Sequence, residues 1–179
     1  MHFSVNRIYH VQEELKMKRL TLITLLSLMI LSSGLIAGKG ESAFGTVYLD
    51  NLSTGEPEFL KEHISKGPLI LSFWATYCVP CAQEMPELQK LATKHSGVTL
   101  IFVNIDESKN LGLVKQRVKE WGVTQTVLMD KFQITVKKYT PKMKVPSTFL
   151  IKDGNIAYSS LGYNEKTIAK LEKEIQKLK

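Results

Sequence analysis

Residues 73–86, FWATYCVPCAQEMP, restrict the possible folds more than any other part of the chain. An apolar run ending at Trp74 passes through a C-x-x-C turn into residues with helical spacing, so a buried strand must lead into a helix with both cysteines at the junction. Cys78 and Cys81 are the only two cysteines. Structural zinc normally takes four Cys/His ligands, and with no second cysteine pair the spacing points first to dithiol chemistry. Two cysteines are also too few to staple a fold, so stability has to come from a packed core. A chain of 179 residues that is 44% hydrophobic can bury such a core in one domain and still carry an extension.

That extension is at the N-terminus. Lys16, Lys18 and Arg19 precede an apolar run over 20–37, interrupted only by Thr21, Thr24, Ser27, Ser32, Ser33 and Gly34. A charged segment followed by an apolar one is the pattern of an export signal, and the run is close to the ~20 residues of a spanning helix. Residues 1–38 are therefore expected to be an N-terminal tail with a signal peptide or a membrane anchor, the start lying at Met1 or Met17. The positive flank would face the cytoplasm and the domain would be extracytoplasmic or periplasmic. Residues 39–44 read as a linker and 45–179 as the folded domain. Residues 1–38 hold four basic and two acidic groups, so the rest of the chain keeps +5 of the total +7. No basic stripe with interleaved aromatics occurs, and nucleic acid is not an expected partner.

The domain alternates strands and helices. Residues 46–49 predict a strand, 50–55 a turn, and 58–64 a short helix stopped by Gly67 and Pro68. The unbroken apolar run 69–74 predicts a strand covered on both faces. Residues 81–95 place Met85, Leu88, Leu91 and Ala92 on one helical face. A second buried strand follows over 99–105, then a helix with Leu111, Val114, Val118 and Trp121 inward and Gly122 as its stop. A short strand over 126–129, a helical patch over 132–139, and a hairpin over 147–152 and 155–161 around Asp153-Gly154 come next. The last helix turns Ile168, Leu171, Ile175 and Leu178 inward. This pattern implies an α/β sandwich.

The residues Phe73 to Cys81, Glu84-Met85-Pro86, Val103-Asn104-Ile105-Asp106, and Val145-Pro146-Ser147-Thr148-Phe149 with Asp153-Gly154 resemble the thioredoxin fold. More narrowly they resemble exported thiol-disulfide oxidoreductases of the TlpA/ResA type. The resemblance implies a central mixed sheet with helices on both faces, a redox-active disulfide as the only cofactor, and protein disulfides as substrates. It also implies a membrane thiol donor, with cytochrome c maturation as the best-known role. Trp74, Tyr77, Pro80, Val145 and Pro146 are the expected substrate-binding residues. Pro146 is expected to be cis and to face the cysteines, leaving the Val145 backbone open to a substrate strand. Pro86 matches the proline that kinks the active-site helix in the family.

The residues support the same site physically. Cys78 at a helix N-terminus meets unpaired N–H groups and the positive end of the helix dipole, which favour a thiolate. Cys78 is thus the expected nucleophile and Cys81, one turn in, the resolving thiol. Ser72 stands where thioredoxins have a buried aspartate, and Glu84 is the expected acid in its place, with a raised pKa. Lys137, Lys138, Lys142 and Lys144 approach Pro146, and they fit either a solvated loop or a surface that selects an acidic partner. His63 and His95 read as surface residues outside any metal pattern. The rival function is a Cu(I) metallochaperone using the two thiolates, although no histidine follows His95 to assist it.

Overall fold

The computed structural model describes residues 46–178, so the expected leader or anchor and the 39–44 linker lie outside the described residues. In chain order the elements are β1 (Tyr48–Asn51), β2 (Pro57–Phe59), α1 (Leu60–Ile64), β3 (Leu69–Trp74), α2 (Val79–Lys94), β4 (Thr99–Asn104) and α3 (Leu111–Glu120). Then follow β5 (Thr126–Met129), α4 (Ile134–Tyr139), β6 (Ser147–Lys152), β7 (Asn155–Leu161) and α5 (Glu165–Lys177). The described strands form one sheet in the order β2-β1-β5-β4-β3-β6-β7. β3, β4 and β5 run parallel, while β6 runs antiparallel to β3 and β1 antiparallel to β5.

All six residues of β3 are buried, as its unbroken apolar run requires of a strand covered on both faces. Because side chains alternate across a strand, β3 and β6 sort their residues into two layers. Ser72 pairs with Thr148, and both hydroxyls meet Glu84 of α2, so α2 covers that face. Phe73 and Phe149 point the other way and meet edge to face at 5.9 Å, with Tyr139 of α4 against Phe149 at 6.1 Å. The sheet thus carries helices on both faces, the expected fold class. On the α2 side, Gln89 ties α2 to the turn after α3, donating to Gly122 O at 3.1 Å and accepting from Thr124 N at 2.8 Å.

Several expected boundaries shift. The first strand begins two residues later than 46 and runs into the predicted turn, where the Asn51 side-chain oxygen accepts from Ser53 N at 2.7 Å. Glu58 and Phe59, expected as the start of the helix, belong with Pro57 to an edge strand paired with β1; α1 starts only at Leu60. The active-site helix, by contrast, starts at Val79 with Cys78 at its N-terminus, as expected, and continues through Pro86. Leu171 and Ile175 of α5 are buried, while Ile168 and Leu178 pack at the margin of the core. His95 is not a surface residue: its ring is buried and meets Glu172 at 3.0 Å, across 77 positions of sequence. His63 is half-buried and bonded to Glu58 at 2.9 Å.

Candidate redox site

The parallel register carries the C-terminal ends of β3, β4 and β5 to one end of the sheet. β6 starts at that end, since Phe73 pairs with Ser147 at the last position of the β3–β6 ladder. The chain leaving β3 turns at once, Cys78 N donating to Ala75 O at 3.1 Å, and α2 begins. The turn is anchored by Asp106, a buried carboxylate just beyond β4. It accepts from Thr76 N at 2.8 Å, Thr76 Oγ1 at 2.7 Å and Asn104 Nδ2 at 2.8 Å. The backbone entering the C-x-x-C stretch is therefore held by a charged acceptor, and bonds to charged groups contribute about 1.5–3 kcal/mol each.

Cys78 and Cys81 form a disulfide with Cα atoms 5.3 Å apart. Cys78 is the N-cap of α2, and its Sγ accepts from Cys81 N at 3.2 Å. Pro80 falls in the first turn, where its missing N–H forfeits no helical bond. Cys78 is 5% exposed and Cys81 fully buried, so an incoming group reaches Cys78 first.

Glu84 lies one turn beyond Cys81 on the same helical face and is 1% exposed. Ser72 Oγ donates to its Oε2 at 3.2 Å, and the Thr148 hydroxyl lies 3.0 and 3.1 Å from its two oxygens. Burial raises its pKa from 4.5 to about 7, overcoming the hydrogen bonds from Thr148 and Ser72, which act in the lowering direction. A carboxyl poised there can hold or release a proton near neutral pH. The raised pKa and burial agree with the expectation for Glu84. The sequence marks Ser72 only as the residue replacing an aspartate and gives no sign of Thr148 as a partner. Ser72 is the one hydroxyl in an otherwise apolar strand run, which is the signal that could have marked it.

The Val145–Pro146 peptide is cis, as the resemblance implies. Pro146 is buried and its carbonyl accepts from Gly162 N at 2.7 Å, while Val145 is half-buried. No hydrogen bond engages the Val145 N–H or C=O among the described residues. Tyr77, 69% exposed, and Pro80, also exposed, line the turn from outside. Trp74 requires a correction. It is fully buried and packs on Trp121 with ring centroids 5.3 Å apart, so it supports the turn from beneath and offers no surface to a substrate. A groove lined by Tyr48, Phe132 and Ile134 lies elsewhere and includes neither cysteine nor Glu84. Among the described residues no group of three or more His, Cys, Asp or Glu is placed to hold a metal ion.

A family model described as Redoxin matches residues 40–175. The thiol-disulfide oxidoreductase ResA of Bacillus thuringiensis is 35% identical over 122 residues, covering 66% of this chain and 67% of its own. The ResA of Halalkalibacterium halodurans is 37% identical over 121 residues, covering 66% of this chain and 65% of its own. The solution structure of an uncharacterized thioredoxin-like protein from Porphyromonas gingivalis superposes with a TM-score of 0.64 at 30% identity. That match covers 76% of this chain and 92% of the other.

Proposed function

The chain belongs to the Redoxin family and is a thiol-disulfide oxidoreductase of the ResA type, and from there we propose that it works outside the cytoplasmic membrane as a reductant of protein disulfides. The observation that carries this reading is the Cys78–Cys81 disulfide at the N-terminus of α2, backed one turn later by the buried Glu84 carboxyl. In the reduced protein the N–H groups at the start of α2 and the helix dipole favour the Cys78 thiolate. It attacks one sulfur of the substrate disulfide; the other substrate sulfur leaves as a thiolate and takes a proton. Cys81 then loses its proton to the ionised form of Glu84 and attacks Cys78 Sγ; the second substrate sulfur leaves as a thiolate and takes a proton in turn, and the Cys78–Cys81 disulfide remains. Two electrons and two protons pass to the substrate, and a membrane dithiol donor restores the reduced pair.

The Val145 backbone offers its N–H and C=O to an extended substrate segment beside the turn. Tyr77, Pro80 and Val145 form the surface that this segment meets, with the cis Pro146 setting the backbone behind Val145, and the 1–38 segment supplies export and a signal peptide or anchor. Heme-attachment apoproteins are the substrates in this reading, with cytochrome c maturation as the role, and the family resemblance is what supports it. The test is Cys81→Ser, which stops the second step and holds the mixed disulfide on Cys78 for mass spectrometry. Recovery of a heme-attachment apoprotein supports maturation, whereas recovery of a copper-site protein redirects the role to metal-centre assembly. Stoichiometric Cu(I) uptake by the reduced protein together with negligible disulfide exchange overturns the oxidoreductase role in favour of copper carriage.

A further inference from the structure

The chain between β5 and β6 has to cross the sheet at the redox end. β5 finishes there and β6 starts there, yet β4 and β3 lie between them in the sheet. The crossing takes the face opposite α2, where Tyr139 packs on Phe149. It carries five lysines, and its one acidic residue, Asp130, is buried. Both Asp130 carboxylate oxygens are engaged by the N–H groups of Ile134, Thr135 and Val136 at 3.1, 3.3 and 2.7 Å. Lys131 is paired with Asp50 at 2.6 Å, and Lys138 sits over the Tyr139 ring. Lys137, Lys142 and Lys144 are exposed and make no ion pair among the described residues.

The last two of these flank the approach to Pro146 on a backbone that is firmly placed. Thr140 N donates to Val136 O at 2.7 Å and Met143 N to Thr140 O at 2.6 Å. The Ser147 hydroxyl donates to Lys144 O. Met143, between the two lysines, is held at a φ of 46°, a left-handed conformation that a side chain of this size adopts only when its surroundings impose it. Exposed acids at this end form no ion pair with these lysines among the described residues: Glu107 is paired with Lys109 at 2.9 Å, and Glu165 makes no ion pair. An incoming segment that pairs with Val145 runs directly alongside Lys144 and Lys142.

We propose that Lys137, Lys142 and Lys144 form a docking rim that selects polypeptides carrying Asp or Glu close to the disulfide being reduced. This rests on the oxidoreductase reading and adds the class of substrate. The rim acts on encounter and register rather than on the exchange step, so its effect resides in the second-order rate constant and is screened by salt. A polypeptide is favoured over a lipid headgroup because the lysine-bearing segment leads through Lys144 directly into Val145, whose backbone hydrogen-bonding groups are unused among the described residues.

The experiment mixes pre-reduced protein with two disulfide-closed peptides that differ only in having Glu or Lys on either side of the cysteines. The reaction is quenched with acid and its thiols counted by alkylation. One protein dithiol reduces one peptide disulfide, so no further reductant is needed. The Glu peptide is expected to react about tenfold faster at low ionic strength, falling to about twofold at high salt. In K137Q/K142Q/K144Q the ratio should fall to about one, and the triple Lys→Arg variant should retain it. Equal rates for the two peptides with wild type, or an unchanged ratio in the Gln variant, overturn the proposal. If the Gln variant keeps the peptide ratio but loses binding to phosphatidylglycerol vesicles, the rim serves a membrane surface and the proposal is wrong. Wild-type reduction of uncharged hydroxyethyl disulfide tests the oxidoreductase reading by itself, and its absence would remove that reading whatever the peptide ratio.

Discussion

Replacing Glu84 by glutamine should convert a pH-dependent stability into a flatter one, and the size of the change follows from the environment of the carboxyl. Glu84 titrates near 4.5 in the unfolded chain and near 7 in the folded protein, because burial disfavours its charge more than Ser72 and Thr148 favour it. Below about pH 4.5 both states hold the proton and this group leaves stability unchanged. Between about 4.5 and 7 the folded protein keeps a proton that the unfolded chain has lost, so stability falls as pH rises through that window. Above about pH 7 the loss is complete; at 1.36 kcal/mol per pKa unit it amounts to about 3 kcal/mol. A glutamine side chain at this position would be neutral throughout and could still bond the Ser72 and Thr148 hydroxyls. The stability of Glu84→Gln relative to wild type should therefore rise by about 3 kcal/mol between about pH 4.5 and 8, the other titrating groups cancelling in the difference. Urea denaturation of the oxidised proteins at matched ionic strength measures this directly. A difference that stays constant across the window would mean that the Glu84 carboxyl does not titrate near neutral pH, and its assignment as the proton acceptor for Cys81 would fall with it.

Three further perturbations address the neighbouring parts. Thr148→Val removes the hydroxyl that helps to lower the Glu84 pKa, so the carboxyl should titrate above about 7 with a stability loss of about 1–3 kcal/mol; carbon NMR of the Glu84 carboxyl checks it, and a titration at or below 7 counts against the network. Asp106→Ala strips acceptors from Thr76 and Asn104 and should cost about 2–4 kcal/mol while speeding amide exchange at Thr76; unchanged exchange there would show that the carboxylate does not hold the turn. In the reduced protein, Cys78 should be alkylated faster than Cys81, with an inflection below the ~8.5 of a free thiol, and equal rates at the two positions would contradict the nucleophile and resolving roles.

The strands that define the sheet are legible wherever local signals are strong. Residues 69–74 and 126–129 form the predicted strands because their apolar runs have clear limits, and the 147–161 hairpin forms because Asp153-Gly154 fixes its turn. β2 escapes notice because three residues beginning with a proline carry no periodicity, and what makes them a strand is pairing with β1. The site divides along the same line. The cysteines and Glu84 share one helix, so their relation follows from 3.6-residue spacing. The meeting of Ser72 with Thr148 depends on the β3–β6 register, and the hold of Asp106 on Thr76 depends on adjacent strand ends; neither is a property of any local window. Trp74 and His95 depart from expectation for a related reason. An aromatic beside a reactive turn and a histidine at a helix end look accessible until Trp121 and Glu172 arrive from distant sequence to cover or engage them.

The Trp74–Trp121 pair gives the molecule an internal optical gauge. The chain has only two tryptophans, and they are in contact with each other at the foot of the turn that carries Cys78. All indole emission therefore originates in one spot, where Trp74 lies four residues upstream of the nucleophilic sulfur, with no distant indole to dilute it. A titration against a thiol buffer can thus be followed on the unlabelled protein, and the midpoint it yields belongs to the Cys78–Cys81 couple, the only thiol couple the chain possesses.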